Sequence, residues 1–314
     1  MEQNLPQYGV VHRIWRAIYP MLIYVVILIG VSAIYLAVTM FSEMAHMGAV
    51  GSDAAGVMYQ IAAERLVENA MAVTFASQLV ALAVFLPMWL KTRRKYPRWT
   101  TGGRMGIGAF ALLVVFSFVM YFVISMIVGL LRASGLFDSY EAVEASLSGG
   151  SILLQVVAVG LCGPIVEELC FRGVIINRMS DSKLWIAIIV QAVLFGFAHM
   201  NLLQGLYAAM IGVFCGYLYT QYRTIWVPII MHVVFNMTNV WLASMQSGAE
   251  VAEQVAEPAQ SYGAVVIVIL VAGAIGAACM AGLLKLRPAA KEGHTTADAS
   301  YKTPRSFADS DDLW

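Results

Sequence analysis

Uncharged apolar runs of about 20 residues recur along this chain, and each is long enough to cross a hydrocarbon core of roughly 30 Å as a helix. They fall at approximately 19–41, 70–90, 105–131, 151–176, 184–200, 203–221, 225–244 and 263–284, which predicts about eight transmembrane helices. An isolated strand would leave its backbone polar groups unpaired in lipid, so the expected fold class is all-α and polytopic. Of the 314 residues 60% are hydrophobic and 12% charged, where a soluble domain carries about 25% charged residues. Too little charge remains to cover a water-facing surface.

Positive charge is retained on the cytoplasmic side of membrane proteins, and here it alternates from one connection to the next. His12, Arg13 and Arg16 precede the first run; Lys91, Arg93, Arg94, Lys95, Arg98 and Arg104 follow the second; Arg178 and Lys183 follow the fourth. Arg223 follows the sixth, and Lys285, Arg287 and Lys291 the eighth. The intervening loops are acidic or nearly uncharged, with Glu43, Asp53, Glu64 and Glu68, then Asp138, Glu141 and Glu144, then Glu250, Glu253 and Glu257. Both termini are therefore expected in the cytoplasm. Residues 1–18 read as a cytoplasmic N-terminus, 19–285 as the transmembrane domain, and 286–314, rich in Lys, Asp, Ser, Thr and Pro, as a disordered cytoplasmic tail.

The net charge of zero gives no sign of a nucleic-acid partner. The basic loop at 91–104 is explained as a topology determinant that also touches anionic lipid. The first run exceeds the apolar region of a cleavable signal and reads as a retained span. Cys162, Cys170, Cys215 and Cys279 lie inside expected spans without C-x-x-C spacing, as small packing residues do.

Polar residues inside these spans are the candidate chemistry, because each charge costs about 2.5–3.5 kcal/mol at a helix centre and needs a partner or a wet cavity. The fourth span holds Glu167, Glu168 and Arg172 just after Gly163-Pro164, where a kink is expected. Glu168 and Arg172 are four apart with the acid first, the favourable order for a helical ion pair. Glu167 is left over, projecting about 100° away, and suits a general base. Phe195 and His199 share a face of the fifth span, and His232 and Asn236 a face of the seventh. Together these three helices can supply base, acid and oxyanion donors. Counted at about 1.5 Å per residue from the basic ends, Glu167 and Asn236 lie at about 16 Å, His232 at about 10 Å and His199 at about 25 Å. His199 is the outlier.

These residues resemble the signatures of the CPBP family, the type II CAAX prenyl endopeptidase and bacteriocin-processing (Abi) group of intramembrane proteases. Glu-Glu-x-x-x-Arg matches Glu167 to Arg172, Phe-x-x-x-His matches Phe195 to His199, and His-x-x-x-Asn matches His232 to Asn236. The likeness covers about 150–240 and includes Gly216-Tyr217-Leu218-Tyr219 and Ile225-Trp226-Val227-Pro228-Ile229. It implies hydrolysis of a peptide bond in a membrane-tethered or prenylated protein or peptide, with membrane lipid as the surroundings. Glu167 and His199 would activate water, His232 and Asn236 would stabilise the oxyanion, and Glu168 with Arg172 would orient them. The expected location is a prokaryotic cell membrane, as a multi-pass protein. Two other readings use the same residues: a proton-coupled transporter, and a non-catalytic membrane scaffold or immunity protein.

No metal cofactor is favoured, because the histidines lie on separate helices, Arg172 opposes a nearby cation, and Asn236 donates better than it ligates zinc. The alternative is zinc held by Glu167, His199 and His232. The topology is tested by reporter fusions after Arg94 and after Glu253, which should report opposite sides of the membrane; finding both on one side would remove the helix count.

Overall fold

The computed structural model describes residues 9–47, 54–100, 103–132, 151–246 and 262–288, and every regular element among them is helical. In chain order α1 is Val10–Met47, α2 Ala54–Glu68, α3 Ala70–Lys95 and α4 Ile107–Arg132. The span Ile152–Ile176 is α5, followed by α6 (Leu184–Ala198), α7 (Leu202–Tyr222), α8 (Trp226–Gln246) and α9 (Tyr262–Lys285). The expected tail from residue 289 onward lies outside the described residues, as do Asp53, Asp138, Glu141, Glu144, Glu250, Glu253 and Glu257.

Among the described residues seven helices are long and apolar enough to cross a membrane. The fifth expected span, α6, is 15 residues long, or about 22 Å, short of a full crossing. It ends where Met200 takes a left-handed conformation, φ 53°, and Asn201 accepts the Gln204 N–H at 3.1 Å to start α7. The expected acidic loop before α3 also differs, since it contains α2. That helix lies along α1, held by an Arg65–Glu43 ion pair of 2.8 Å. Glu64 and Glu68 made the segment read as loop, yet acids on a partnered helix are compatible with an exposed face.

The start of α1 and the ends of α3 and α5 meet at one face, as the alternation of basic loops requires. Arg13 pairs with Asp181 at 3.1 Å, the Arg16 guanidinium lies 4.8 Å from the Tyr96 ring centre, and Arg178 lies 4.7 Å from that of Tyr19. Burial, helped by the positive charge of Arg16, lowers Arg178 to about 10. It remains charged at neutral pH.

Two apolar clusters divide the bundle. Tyr24, Phe85, Phe171, Ile175, Ile176 and Phe195 fill the space chiefly between α1, α3, α5 and α6. Leu113, Phe116, Met231 and Leu283 do the same for α4, α7, α8 and α9. Helix α5 passes between them with an unusual backbone: Val156–Cys162 and Leu169–Ile176 are π-helical, flanking an α-helical Gly163–Glu168. Pro164 has no N–H to donate, and the Gly163 N–H reaches back five residues to Ala158 O, so the expected kink takes the form of widened turns.

Helices α6 and α7 pack backbone to backbone. A Cβ on Gly196 would fall 2.5 Å from the Gly205 carbonyl oxygen, and one on Gly205 would fall 2.9 Å from that of Gly196. Small residues permit this approach in membranes, where close van der Waals packing drives association. Gly196→Ala should therefore push α7 away and carry His199, three residues on, out of place. The expected result is a loss of about 1–3 kcal/mol, as for other overpacked sites, read as a lower unfolding midpoint in detergent, whereas Gly30→Ala, with open space around it, should change nothing.

Candidate functional site

At the seam between the two clusters Glu168 and Arg172 are both fully buried. One carboxylate oxygen of Glu168 accepts from Arg172 Nη1 at 2.8 Å and from His232 Nδ1 at 2.9 Å. The ion pair expected from the four-residue spacing is thus formed, and α8 is tied to α5 through the same atom. The guanidinium also sits 4.6 Å from the centre of the Phe195 ring, a cation–π contact that is strongest when desolvated. Phe195 meets the His199 and His232 rings edge to face at 4.9 and 5.6 Å. This aromatic ring joins α6 to the charged pair.

Glu167, one residue earlier and about 100° around the helix, lines a cavity of about 230 Å³ shared with His199. Its Oε1 accepts from the Tyr24 hydroxyl at 2.9 Å, and Tyr24 accepts from Gln78 Nε2 at 3.1 Å. Its Oε2 lies 3.6 Å from His232 Nε2, longer than a hydrogen bond. The His199 imidazole folds back one turn, with Nδ1 2.8 Å from the Phe195 carbonyl oxygen. A carbonyl only accepts, so Nδ1 donates this bond, and in the neutral ring Nε2 is the nitrogen with the lone pair. The ring is thereby turned back along α6, and His199 lines the same cavity as Glu167 despite the gap that spacing alone left between them.

Glu167, Glu168, Arg172 and His232 therefore meet directly, and His199 joins them through Phe195 and the shared cavity. Asn236 is placed differently: its Nδ2 donates to the Val159 carbonyl at 3.0 Å, in the first π-helical stretch of α5. One of its two N–H bonds is thereby committed and the other is left. Among the described residues no three His, Cys, Asp or Glu side chains are grouped to hold a metal ion together.

Two contributors were not singled out from the sequence. Tyr24 and Gln78 stand on α1 and α3, far from the motifs, within apolar runs. The signal available was Gln78 itself, a costly amide in a span whose partner could not be read from spacing.

Residues 149–238 match the family model for type II CAAX prenyl endopeptidase Rce1-like proteins. The matched stretch contains all of α5, α6 and α7 and most of α8, with every motif residue from Glu167 to Asn236. A relative named "Putative membrane peptidase YdiL", from Bacillus subtilis (strain 168), is 30% identical over 87 residues, which is 27% of this chain and 36% of that protein. The similarity thus spans about a third of the relative's length. No solved structure matches. The resemblance read from the three motifs is therefore found again over that stretch, in an all-helical membrane chain.

Arg172→Ala would leave the buried Glu168 carboxylate with only His232 beside it. Losing one partner of a buried pair costs about 3–5 kcal/mol, so this variant should lose most of its folded yield in membranes. Arg172→Met combined with Glu168→Leu should recover folding, as read by resistance to limited proteolysis.

Proposed function

We propose that the chain is an intramembrane endopeptidase that hydrolyses a peptide bond in a membrane-tethered protein or peptide. The observation that carries this reading is the setting of Glu167: an intramembrane carboxylate on the wall of a polar cavity, held by Tyr24 and sharing that cavity with a histidine whose Nε2 is free to accept a proton. The matched CAAX-endopeptidase region and the named peptidase relative support the same class of reaction.

In this reading Glu167 and His199 polarise a water, whose oxygen attacks the scissile carbonyl carbon while its proton passes to Glu167. The negative charge that develops on the carbonyl oxygen needs donors, commonly the largest single catalytic contribution. His232 and the uncommitted N–H of Asn236 supply them. Glu168 at Nδ1 fixes the His232 ring and leaves its Nε2 on the side of Glu167. As the C–N bond breaks, Glu167 returns its proton to the leaving amine. Glu168 and Arg172 are positioning residues. No metal-bound step is invoked in this reading.

Glu167→Gln keeps the shape and removes the base, so it should insert normally and abolish turnover. Quantitative membrane proteomics of wild type against this variant measures it: membrane proteins should accumulate uncut with the variant, with matching new N-termini present only in wild type. No Glu167-dependent cut would sink the peptidase reading, and loss of cleavage with Glu168→Gln but not Glu167→Gln would reverse the two acids. Cleavage should also survive exhaustive treatment with a membrane-permeant chelator. Stoichiometric zinc together with chelator-sensitive, zinc-restorable cleavage would overturn the metal-free mechanism.

A further inference from the structure

The cavity at Glu167 continues away from the motif residues into a groove between α1 and α3, lined by Leu28, Ser32, Thr74, Ser77 and Gln78. Its polarity is one-sided. The Ser77 hydroxyl donates to the Val73 carbonyl at 2.8 Å and the Ser32 hydroxyl to that of Leu28 at 3.0 Å, so each keeps only lone pairs for the groove. Gln78 commits one N–H of its Nε2 to Tyr24, while its Oε1 is buried without a hydrogen-bond partner, on a side chain only 5% exposed. A buried acceptor left unmade costs about 1–3 kcal/mol. With the second Gln78 N–H and the Thr74 hydroxyl as the donors left, the groove still offers more acceptors than donors, which suits the N–H groups of an extended polypeptide.

Its position along the bundle is also defined. Toward the face where Arg13, Arg16, Arg178 and Asp181 gather, Tyr24 is wedged edge to face against Phe85 and Phe171 at 6.1 and 6.2 Å. Val174, Ile175 and Ile176 below it have no exposed surface. In the other direction Ser32 is roughly 33 Å along α1 from Val10, and Thr74 roughly 31 Å along α3 from Lys95, at about 1.5 Å per residue. Glu167 is only about 14 Å from Ile176 by the same rule. Met200, 66% exposed, stands at the far end.

We propose that this groove is the docking site for the substrate main chain, reached from the face opposite the basic loops, with Gln78 Oε1 accepting a main-chain N–H beside the scissile bond. The inference rests on the peptidase reading and adds a substrate class: a membrane-tethered polypeptide presenting an extended segment in the half of the bilayer away from the basic loops.

The test uses full-length protein in sealed vesicles of both orientations, in a Cys162→Ala background. Its probe is the membrane protein whose new N-terminus depends on Glu167. Thr74→Cys is treated with a membrane-impermeant maleimide from either side, and its cleavage rate is compared with its own untreated rate. Labelling from the face opposite the Arg94 loop should slow cleavage about tenfold, and Gln78→Met should raise KM about tenfold with kcat within about twofold, as for a lost binding contact. Labelling that proceeds only from the basic face, or leaves the rate unchanged, overturns the groove as the docking site. A fall in kcat at unchanged KM for Gln78→Met would make Gln78 only a support for Tyr24, and overturn its contact with substrate. Should Gln78→Met not fold, the Thr74 labelling decides. Absence of any Glu167-dependent cut in wild type instead removes the peptidase reading, and with it this inference.

Discussion

A carboxylate can remain inside a bilayer only where its charge is answered, and here a single oxygen of Glu168 receives both a guanidinium and an imidazole N–H. The remaining helix placements follow from satisfying it. Arg172 comes from the same helix at a spacing that works in an α or a π turn, because four residues return to nearly the same face in both. His232 requires α8 to lie against α5, and the Phe195 ring over the guanidinium requires α6 to close on the opposite flank. Such a buried pair adds little net stability relative to apolar side chains of the same volume. What it adds is register, since no other depth of α8 brings an imidazole to that oxygen.

Helix type and the ion pair were legible because both are local: hydropathy over 20 residues fixes a helix, and spacing of four places Glu168 beside Arg172. The three motifs, too, marked the helices that meet. Less could be read where the fold depends on contacts remote in sequence. Tyr24 is 143 residues from Glu167, and nothing in an apolar α1 distinguishes it from the other tyrosines there. Helix α2 was hidden because its acids point to a loop until the Arg65–Glu43 pair is seen. The depth of His199 misled for a geometric reason: counting Cα positions ignores that the ring turns back toward Phe195.

The matched region and the site do not have the same limits. Residues 149–238 contain every motif side chain, yet Tyr24, Gln78 and the two serines of the groove come from helices that precede it. Those first helices shape the cavity wall and hold one oxygen of Glu167. In the proposed reading, chemistry and selection of what reaches it are thereby carried by different parts of the chain, so the second can change while the first is kept.

Helix α6 has one further mechanical effect. Its outer side, with Ile186, Ile189, Val193 and Phe197, faces lipid over a helix about 8 Å shorter than a typical hydrocarbon core. Acyl chains along that side must shorten or splay to meet it, so the bilayer is pinched beside His199. The energy of that deformation depends on chain length. Membrane thickness therefore acts on the bundle as a load applied at one end of the α6–α7 hairpin, and the lipid composition of the host membrane becomes a mechanical input to the geometry of its histidine.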